Sequence, residues 1–560
     1  MDWPPAYLNN IAAAKLTSSP RCAQTRMLQN RIADMIRFTK LILQNFQSIR
    51  DYTEIPIERL TLLFGPNSAG KSAVFDALGL LQLLCDRDFN SDRSQFQWLL
   101  ARHARREGNQ FAGPVTIGLE LETNSEFELE FWYDRDLHST PSVFLDFIHG
   151  YSDDLKLEMR NAVIRISFDF LCDFLPRFDG VSFAINQESI LSIRWRDEDN
   201  RLWAYVKPRP DWMNIPSASD SRYVAIEDGL VTIGPLSREH VGMDSGNWFS
   251  VEEPVDPANS FIQALLSLAV RTIRSAVETG YASSLPLVTA SRTVPERGQC
   301  VFALGDDLVH GARVKPDNFD TIYGTLAATF PVRSAHLHHL ADEFSRHEDA
   351  PEQGVWWELK TPQRVNSLLR EELFKEKGYR LAARSLFLIE RDDLDWVQFP
   401  KTAARLVHLF LFDAEERKLE IEDVGSGIGY ALPVLAALCH RGRAWIQQPE
   451  LHLHPAMQGG MGEAIVKAVE NKQWFDSHVI VETHSENLLL RILKMLRRPQ
   501  LEDEMEYISR LTYRDVALIY FDPQMDGTTK VSRIRLAPDG SFVDRWPRGF
   551  FLERLNDLDP

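Results

Sequence analysis

The sequence predicts an α/β protein that combines a parallel sheet with an antiparallel β region and a helical insertion. Three observations predict this class. Residues 60–72 have the pattern of a buried strand, a glycine-rich turn and the start of a helix. Residues 444–455 and 478–485 each begin as a short apolar strand and end in polar side chains. Residues 113–207 hold short apolar runs separated by turn-forming residues, a pattern typical of antiparallel strands.

The glycine-rich turn is the first feature that indicates chemistry. It fits the pattern G-x-x-x-x-G-K-[ST] with Gly65, Gly70, Lys71 and Ser72. The glycines let the backbone turn tightly, and the helix predicted from about 71 to 84 offers unpaired N–H groups to an anion. In such a loop the lysine reaches the β- and γ-phosphates, and the hydroxyl binds Mg²⁺. The flanking apolar strand and helix favour a phosphate-binding loop over a chance turn.

A nucleoside triphosphate with Mg²⁺ is therefore the predicted ligand of this loop. The residues expected to line the phosphates are Asn67, Ser68, Ala69, Gly70, Lys71 and Ser72. A second glycine-rich turn at 422–433 leads into an apolar helix, where Gly425, Ser426 and Gly427 would leave N–H groups for another anion. An ordinary helix cap explains this second turn equally well, so both interpretations stay open at this point.

The two later apolar strands end in polar residues. The first ends in Gln447 and Gln448, with Glu450 two positions further on, and the second ends in Glu482 and a Thr-His pair that contains His484. Because the carboxyl ends of parallel strands lie at one edge of a sheet, we expect these groups to meet the phosphate loop there. The order of the segments favours contact of His484 with the γ-phosphate over a purely structural role.

Length and charge limit the classes of protein. A chain of 560 residues is too long for one ordinary core, so several domains or lobes are expected. The net charge of −18 argues against a protein whose whole surface binds nucleic acid. Local contact with nucleic acid stays open, although solvated helix faces explain basic clusters more often. The two clusters are Arg102, Arg105 and Arg106, and Lys494, Arg497 and Arg498.

Cysteine usage and hydropathy indicate a cytoplasmic protein without membrane contact. None of the five cysteines forms a C-x-x-C pair, which suits a reducing compartment and argues against a disulfide framework or a structural zinc. No apolar run approaches the roughly 20 residues that span a bilayer. The N-terminus has no apolar signal core.

Four regions are predicted along the chain: a poorly patterned N-terminal tail at 1–34, a first lobe at 35–250, a mainly helical insertion at 251–385 and a second lobe at 386–560. In the first lobe a strand within 36–49 precedes the phosphate loop, and 208–258 are predicted to be a connection. The predicted antiparallel strands are 115–121, 127–133, 162–168, 181–185, 192–196 and 202–207. The predicted later elements are helices at 259–280, 320–330, 334–347 and 362–384, then strands at 386–389, 406–411 and 419–421.

Four motifs, taken in order, resemble those of the ABC-type ATPases of the SMC/RecF/OLD superfamily, in particular compact bacterial AAA-like members without long coiled coils. The sequence GPNSAGKS at 65–72 matches their Walker A motif, and VGSG at 424–427 matches a divergent signature motif. PELHLHP at 449–455 is similar to their extended Walker B and D-loop, and ETHS at 482–485 to their switch-histidine motif. The resemblance covers 36–84 and about 285–560. It implies a P-loop ABC-type ATPase head with a mixed sheet, which binds ATP and Mg²⁺.

One departure from the family bears on catalysis. The family's strand usually ends in Asp-Glu or Glu-Gln, whereas this one ends in Gln447-Gln448. An amide orients water but does not take its proton, so we expect slow hydrolysis. Glu450 and Glu482 are the candidates for the missing charge. The resemblance assigns Mg²⁺ to Ser72 and Gln447, and catalysis to Gln448, Glu450 and His484.

In the family, ATP lies between two heads, so the resemblance implies a homodimer or higher oligomer that works as a nucleotide-controlled switch. Compact ATPases of this kind resemble those of Septu-type and retron-associated antiviral systems. Those systems pair the ATPase with a separate HNH-type nuclease, and some add a reverse transcriptase with its DNA–RNA product. Two alternatives stay open. One is a RecF-like repair ATPase that binds DNA directly, and the other is an ATP-binding scaffold that does not hydrolyse ATP.

Overall fold

The computed structural model describes separate stretches of the chain between residues 36 and 546. The described residues are 36–85, 93–127, 154–172, 176–196, 201–207, 224–227, 230–236, 301–303, 361–375, 377–388, 404–439, 443–470, 478–497 and 510–546, with scattered positions between 262 and 290. The predicted tail at 1–34 and the predicted helices at 320–330 and 334–347 lie outside them.

Strands dominate the described residues before 240, and helices alternate with strands in the described residues after 420. The strands are β1 (Ile36–Gln44), β2 (Thr53–Pro56), β3 (Leu60–Phe64), β4 (Arg106–Glu107), β5 (Gln110–Phe111), β6 (Val115–Thr123), β7 (Val163–Cys172), β8 (Pro176–Ile185), β9 (Glu188–Arg196), β10 (Arg201–Val206), β11 (Val224–Glu227), β12 (Leu230–Leu236), β13 (Leu287–Val288), β14 (Val301–Ala303), β15 (Arg380–Leu388), β16 (Ala404–Phe412), β17 (Lys418–Leu419), β18 (Ala444–Gln447), β19 (Val479–Glu482), β20 (Val516–Pro523) and β21 (Thr529–Ile534). The helices are α1 (Ala73–Cys85), α2 (Arg93–His103), α3 (Thr361–Leu368), α4 (Ser426–Cys439), α5 (Pro455–Glu470) and α6 (Glu486–Leu496). No described helix is long and apolar enough to cross a bilayer.

A six-stranded sheet forms the centre of the molecule, in the order β13-β18-β19-β3-β20-β21. Every neighbouring pair is parallel except β20 and β21. The strand β3, which precedes the phosphate loop, pairs with β19 on one side and β20 on the other. The prediction of a mixed, largely parallel sheet is confirmed.

The parallel sheet is buried on both faces. Leu60, Leu62 and Phe64 of β3 belong to one buried cluster together with apolar side chains of α4, α5 and α6. Leu63, which points to the opposite face, belongs to a second cluster with α1 and the antiparallel strands. Burial on both faces explains why β3 is a continuous apolar run rather than an alternating one.

A nine-stranded antiparallel sheet covers the second face, in the order β11-β12-β10-β9-β8-β7-β6-β1-β2. The strands predicted at 192–196 and 202–207 are present as β9 and β10, which pair with each other through Arg196 and Arg201. The predicted strands near 115, 162 and 181 are present as β6, β7 and β8. Of the strand predicted at 127–133, only the first residue is described.

Two sequence predictions need correction. The stretch 208–258, predicted to be a connection, contains the paired strands β11 and β12. The Asp-Gly pair at 228–229 between them is a strong hairpin signal that the surrounding Pro, Ser and Asp residues obscured. The helix predicted at 362–384 is also too long. α3 continues only through a π-helical turn at Leu369–Leu373. Gly378 then takes a positive φ of 62°, and β15 begins at Arg380.

Most of the predicted helical insertion at 251–385 lies outside the described residues, so its overall nature stays a prediction. Its described parts include helical positions between 262 and 277 and the strands β13 and β14. β13 adds a parallel edge strand beside β18. β14 joins a small antiparallel sheet with β15, β16 and β17.

Candidate nucleotide-binding site

The phosphate loop lies between the end of β3 at Phe64 and the start of α1 at Ala73. Gly65 has a φ of 147°, and a Cβ there would lie 2.5 Å from the carbonyl oxygen of Phe521 on β20. Gly70 has a φ of 85°, and a Cβ there would collide with the Ser48 hydroxyl. Both motif glycines are therefore required by backbone conformation and by close neighbours.

Side chains from both ends of the sequence support the loop. The Thr529 hydroxyl, at the start of β21, donates to the carbonyl of Ala69 at 2.9 Å and approaches the Ser48 hydroxyl at 2.8 Å. The Thr529 N–H also donates to the carbonyl of Ser48. These bonds tie the loop backbone to β21 and to the turn after β1.

Replacing Gly65 by alanine is expected to destabilise the fold by at least about 2 kcal/mol, because strained φ and a backbone clash act together. Gly79→Ala is the matched control. Gly79 lies inside α1, and a Cβ placed on it would meet nothing within 4 Å, so alanine there should stabilise the helix by about 0.5–1 kcal/mol. Urea denaturation of both variants checks the pair. Equal midpoints for the two would contradict the described loop geometry.

Lys71 lies inside the loop, with its side chain 4% exposed. Its Nζ donates to the carbonyls of Gly65 at 3.1 Å and Pro66 at 2.8 Å. Burial lowers the pKa of the Lys71 ammonium, and the nearby Glu482 carboxylate opposes that shift. A cation held among loop carbonyls is positioned to exchange those partners for phosphate oxygens.

Glu482, at the end of β19, is the carboxylate next to the loop. Its Oε1 lies 3.9 Å from Lys71 Nζ, and its Oε2 accepts from the Ser72 hydroxyl at 3.4 Å and from Gln447 Nε2 at 3.3 Å. Burial raises the pKa of Glu482, and Lys71 lowers it in turn. Motif reasoning offers Glu482 only as one of two candidates for the missing charge, whereas the structure places it against Ser72.

The predicted catalytic residues lie beside this cluster. The Gln448 N–H donates to the Glu482 carbonyl at 2.7 Å, and Gln448 has a positive φ of 47°. Glu450 Oε1 accepts from the His484 N–H at 2.8 Å. Burial lowers the pKa of His484, and Lys71 adds to the shift. The structure thus brings the ends of β18 and β19 together, as the parallel-sheet argument predicted.

The second glycine-rich turn occupies a different position. α4 begins at Ser426, after Gly425 with a φ of 95°, and both residues are exposed. Gly427 packs against the chain after β18, since a Cβ there would lie 3.2 Å from the His452 carbonyl oxygen. The turn therefore presents an exposed helix N-terminus. This position is compatible with a simple helix-capping turn and with binding of an anion held by another chain.

The oxygen donors near the loop bear on whether Mg²⁺ fits. In the described part of the chain, no group of three or more His, Cys, Asp or Glu side chains could hold a metal ion. Mg²⁺ in nucleotide sites needs fewer protein ligands, because phosphates and water complete its octahedron. The Ser72 hydroxyl and the Glu482 carboxylate are hard oxygen donors 3.4 Å apart, and they fit this chemistry.

Comparison with known proteins gives partial matches. Solved SMC head domains cover most of the chain at low similarity. The SmcHead bound to the C-winged helix domain of ScpA is 12% identical with a TM-score of 0.39, covering 89% of this chain and 98% of that chain. The SMC head domain from Thermotoga maritima is 10% identical with a TM-score of 0.34, and the match covers 89% of this chain and 100% of that chain. The Smc head with an extended coiled coil, bound to the C-terminal domain of ScpA derived from Pyrococcus furiosus, is 10% identical with a TM-score of 0.35, covering 90% and 97%.

No curated protein matches the chain. Residues 40–160, which contain the phosphate loop, match the family model described as an AAA domain. This match and the geometry of Lys71, Ser72 and Glu482 around the loop together support an ATPase-type nucleotide-binding domain in this chain.

Proposed function

We propose that the protein binds ATP with Mg²⁺, hydrolyses it slowly, and works as a dimeric nucleotide-controlled switch. One observation carries the proposal. Lys71, Ser72 and Glu482 meet at the carboxyl edge of the parallel sheet, directly behind a loop whose backbone N–H groups can receive phosphates. A buried ammonium, a hydroxyl and a carboxylate in one cluster match a triphosphate with its magnesium ion.

Each residue then has a defined task. Lys71 contacts the phosphates and offsets their charge, and the loop N–H groups hold the phosphate oxygens. Ser72 and Glu482 would hold Mg²⁺, which when bound would supply positive charge that offsets the charge of the phosphates. The Gln448 amide orients the attacking water, and His484 donates a hydrogen bond to the γ-phosphate. Because the Gln448 amide orients the attacking water but does not take its proton, turnover is slow.

The switch depends on a second copy of the chain. The exposed turn at 425–427 would supply its N–H groups to the ATP held by the partner's phosphate loop. ATP would then bind the closed pair more tightly than the open pair, and hydrolysis would release it. That difference in affinity is the energy source that any ligand-driven switch requires.

Steady-state hydrolysis tests the enzymatic part. We expect slow, Mg²⁺-dependent turnover that Lys71→Ala abolishes, and Gln448→Glu should raise turnover at least about 10-fold, since a positioned base typically contributes 100-fold or more. The parallel variant Gln458→Glu controls for added charge, because Gln458 bonds to Ser485 and Leu453 rather than to the cluster. A phosphate-release assay measures all four proteins. A brisk wild-type rate, unchanged in Gln448→Glu, would contradict the assignment.

The biological role follows from the motif resemblance. We propose an ATPase component of an antiviral defence system that regulates a separate HNH-type nuclease, with a reverse transcriptase and its DNA–RNA product as further partners. Copurification with the products of adjacent genes tests this role. A RecF-like repair ATPase would instead bind duplex DNA alone in the presence of ATP. The pair Gln447-Gln448 favours a third outcome, a scaffold that binds ATP and shows no turnover.

A further inference from the structure

We propose that Glu482 is the protein carboxylate that holds the nucleotide-bound Mg²⁺. It takes the role that the family pattern gives to the residue at the end of β18, which in this chain is Gln447. This assignment rests on the proposed ATP-binding function and identifies how that site recognises its metal. Under this assignment, the negative charge that binds the metal lies at the end of β19 instead of the end of β18.

The order of strands supports the assignment. In the sheet order β18-β19-β3, the strand β19 is the immediate neighbour of the phosphate-loop strand, and β18 is one strand further away. Glu482 is paired in register with Leu63 of β3 on one side and with Gln447 of β18 on the other. A carboxylate at the end of β19 therefore lies closer to the loop than a side chain at the end of β18.

Contacts of the two carboxylate oxygens agree with this position. Oε1 lies 3.9 Å from Lys71 Nζ, and Oε2 lies 3.4 Å from the Ser72 hydroxyl, which is the motif's metal ligand. Glu482 is only 6% exposed. A buried carboxylate next to a hydroxyl of the phosphate loop is a ready oxygen ligand for a hard divalent cation.

The hydrogen bonds of the Gln447 amide favour a positioning role over a role as the main ligand. Its Oε1 accepts from the Ala290 N–H at 3.3 Å, and its Nε2 donates to Glu482 at 3.3 Å. A backbone N–H only donates, so the amide oxygen must face Ala290 and the amide nitrogen must face Glu482. Gln447 is therefore a positioning residue that holds the carboxylate of Glu482.

Charge gives the assignment a measurable signature. Without metal, a buried carboxylate beside the triphosphate repels it, and with Mg²⁺ the same group attracts the metal–nucleotide complex. Glu482 should therefore make ATP affinity depend strongly on Mg²⁺. Removing the charge of Glu482 should strengthen ATP binding in EDTA and reduce the increase in ATP affinity on adding Mg²⁺.

Equilibrium titration with a fluorescent methylanthraniloyl ATP analogue, in EDTA and in excess Mg²⁺, tests this assignment. The readout is the ratio of the two dissociation constants. Glu482→Gln should reduce the ratio at least about 10-fold, since even indirect support of a metal ligand is worth 10–100-fold in metal affinity. The exchange variant Gln447→Glu/Glu482→Gln keeps the charge count and swaps two hydrogen-bonded partners. It should therefore restore part of the increase in affinity that Mg²⁺ causes.

Asp76→Asn is the matched control. Asp76 is a carboxylate on α1 that bonds to Gln47 rather than to Lys71 or Ser72. Removing its charge should therefore leave the ratio of dissociation constants unchanged. If Glu482→Gln fails to fold by circular dichroism, Glu482→Asp decides. This variant keeps the charge but withdraws the carboxylate by one methylene, so it should lose most of the increase in affinity that Mg²⁺ causes.

The outcomes separate the two proposals. Full retention of the Mg²⁺ ratio in Glu482→Gln, or in Glu482→Asp where that variant decides, overturns the assignment and leaves ATP binding standing. A wild-type protein that binds the analogue in neither condition overturns the proposed function and the assignment with it. A collapsed ratio in the Glu482 variants, with a normal ratio in Asp76→Asn, supports the assignment.

Discussion

Replacing Lys71 by alanine is expected to weaken ATP binding at least about 100-fold. The Lys71 ammonium is the cation within the loop, and its carbonyl contacts to Gly65 and Pro66 hold it there. Two charge-assisted hydrogen bonds to phosphate are worth about 3 kcal/mol together by a low estimate, which corresponds to a factor of about 100 in dissociation constant. Isothermal titration calorimetry with ATP and Mg²⁺ measures the loss directly.

The fold should survive this substitution. After loss of Lys71, Glu482 keeps its hydrogen bonds from Ser72 and Gln447, and burial lets it take a proton instead. Lys494→Ala is the matched control, because Lys494 is exposed in the last turn of α6. It should bind ATP like the wild type. Affinity of Lys71→Ala within threefold of the wild type would remove the basis for the site.

Replacing Trp445 by alanine should lower the free energy of unfolding by about 3–5 kcal/mol, the range found when large aromatic side chains are deleted from cores. Trp445 lies on β18, is fully buried, and belongs to the cluster shared by α1 and the antiparallel sheet. Its indole Nε1 donates to His478 Nε2 at 3.3 Å, and the His478 ring packs edge-on against Phe38 of β1. Deletion would leave a cavity where the two sheets meet and remove the hydrogen bond to His478.

Trp445→Phe separates the two contributions. Phenylalanine keeps most of the ring packing but loses the hydrogen bond to His478, so it should cost about 1–2 kcal/mol. Urea denaturation followed by circular dichroism gives both values. If the alanine variant unfolded at the wild-type midpoint, the described burial of Trp445 against His478 would be wrong.

Local chemistry explains which parts of the site were predictable. The phosphate loop, its strand and its helix follow from a glycine pattern between apolar runs, and the structure places them as β3 and α1. The convergence of 444–455 and 478–485 follows from the rule that parallel strands end at one edge. Neither inference required knowledge of which strands are neighbours.

The choice between Glu482 and Gln447 did require that knowledge. Both residues end short apolar strands, and nothing in their local sequence states that β19 lies between β18 and β3. The Ala290 N–H that turns the Gln447 amide comes from a segment more than 150 residues away. Long-range order of this kind is absent from motif spacing, so the family pattern alone does not select between the two strands.

Two element errors have similar causes. The composition of 208–258 suggested a connection, but a four-residue strand such as β11 needs only one pairing partner to form, and β12 supplies it. The helix predicted to 384 continued an apolar period past Gly378, where the backbone reverses and β15 pairs with β16. In both cases strand pairing outweighed the local pattern.

The support of the phosphate loop by Thr529 has a consequence for biosynthesis. Thr529 bonds to Ala69, a residue 460 positions earlier, and Phe521 on the neighbouring strand closes over Gly65. A ribosome-bound chain has made its Walker-type loop long before β20 and β21 emerge. The loop can therefore reach its final shape only after β20 docks beside β3 and β21 docks beside β20, and a nascent chain stalled before residue 516 should not retain nucleotide.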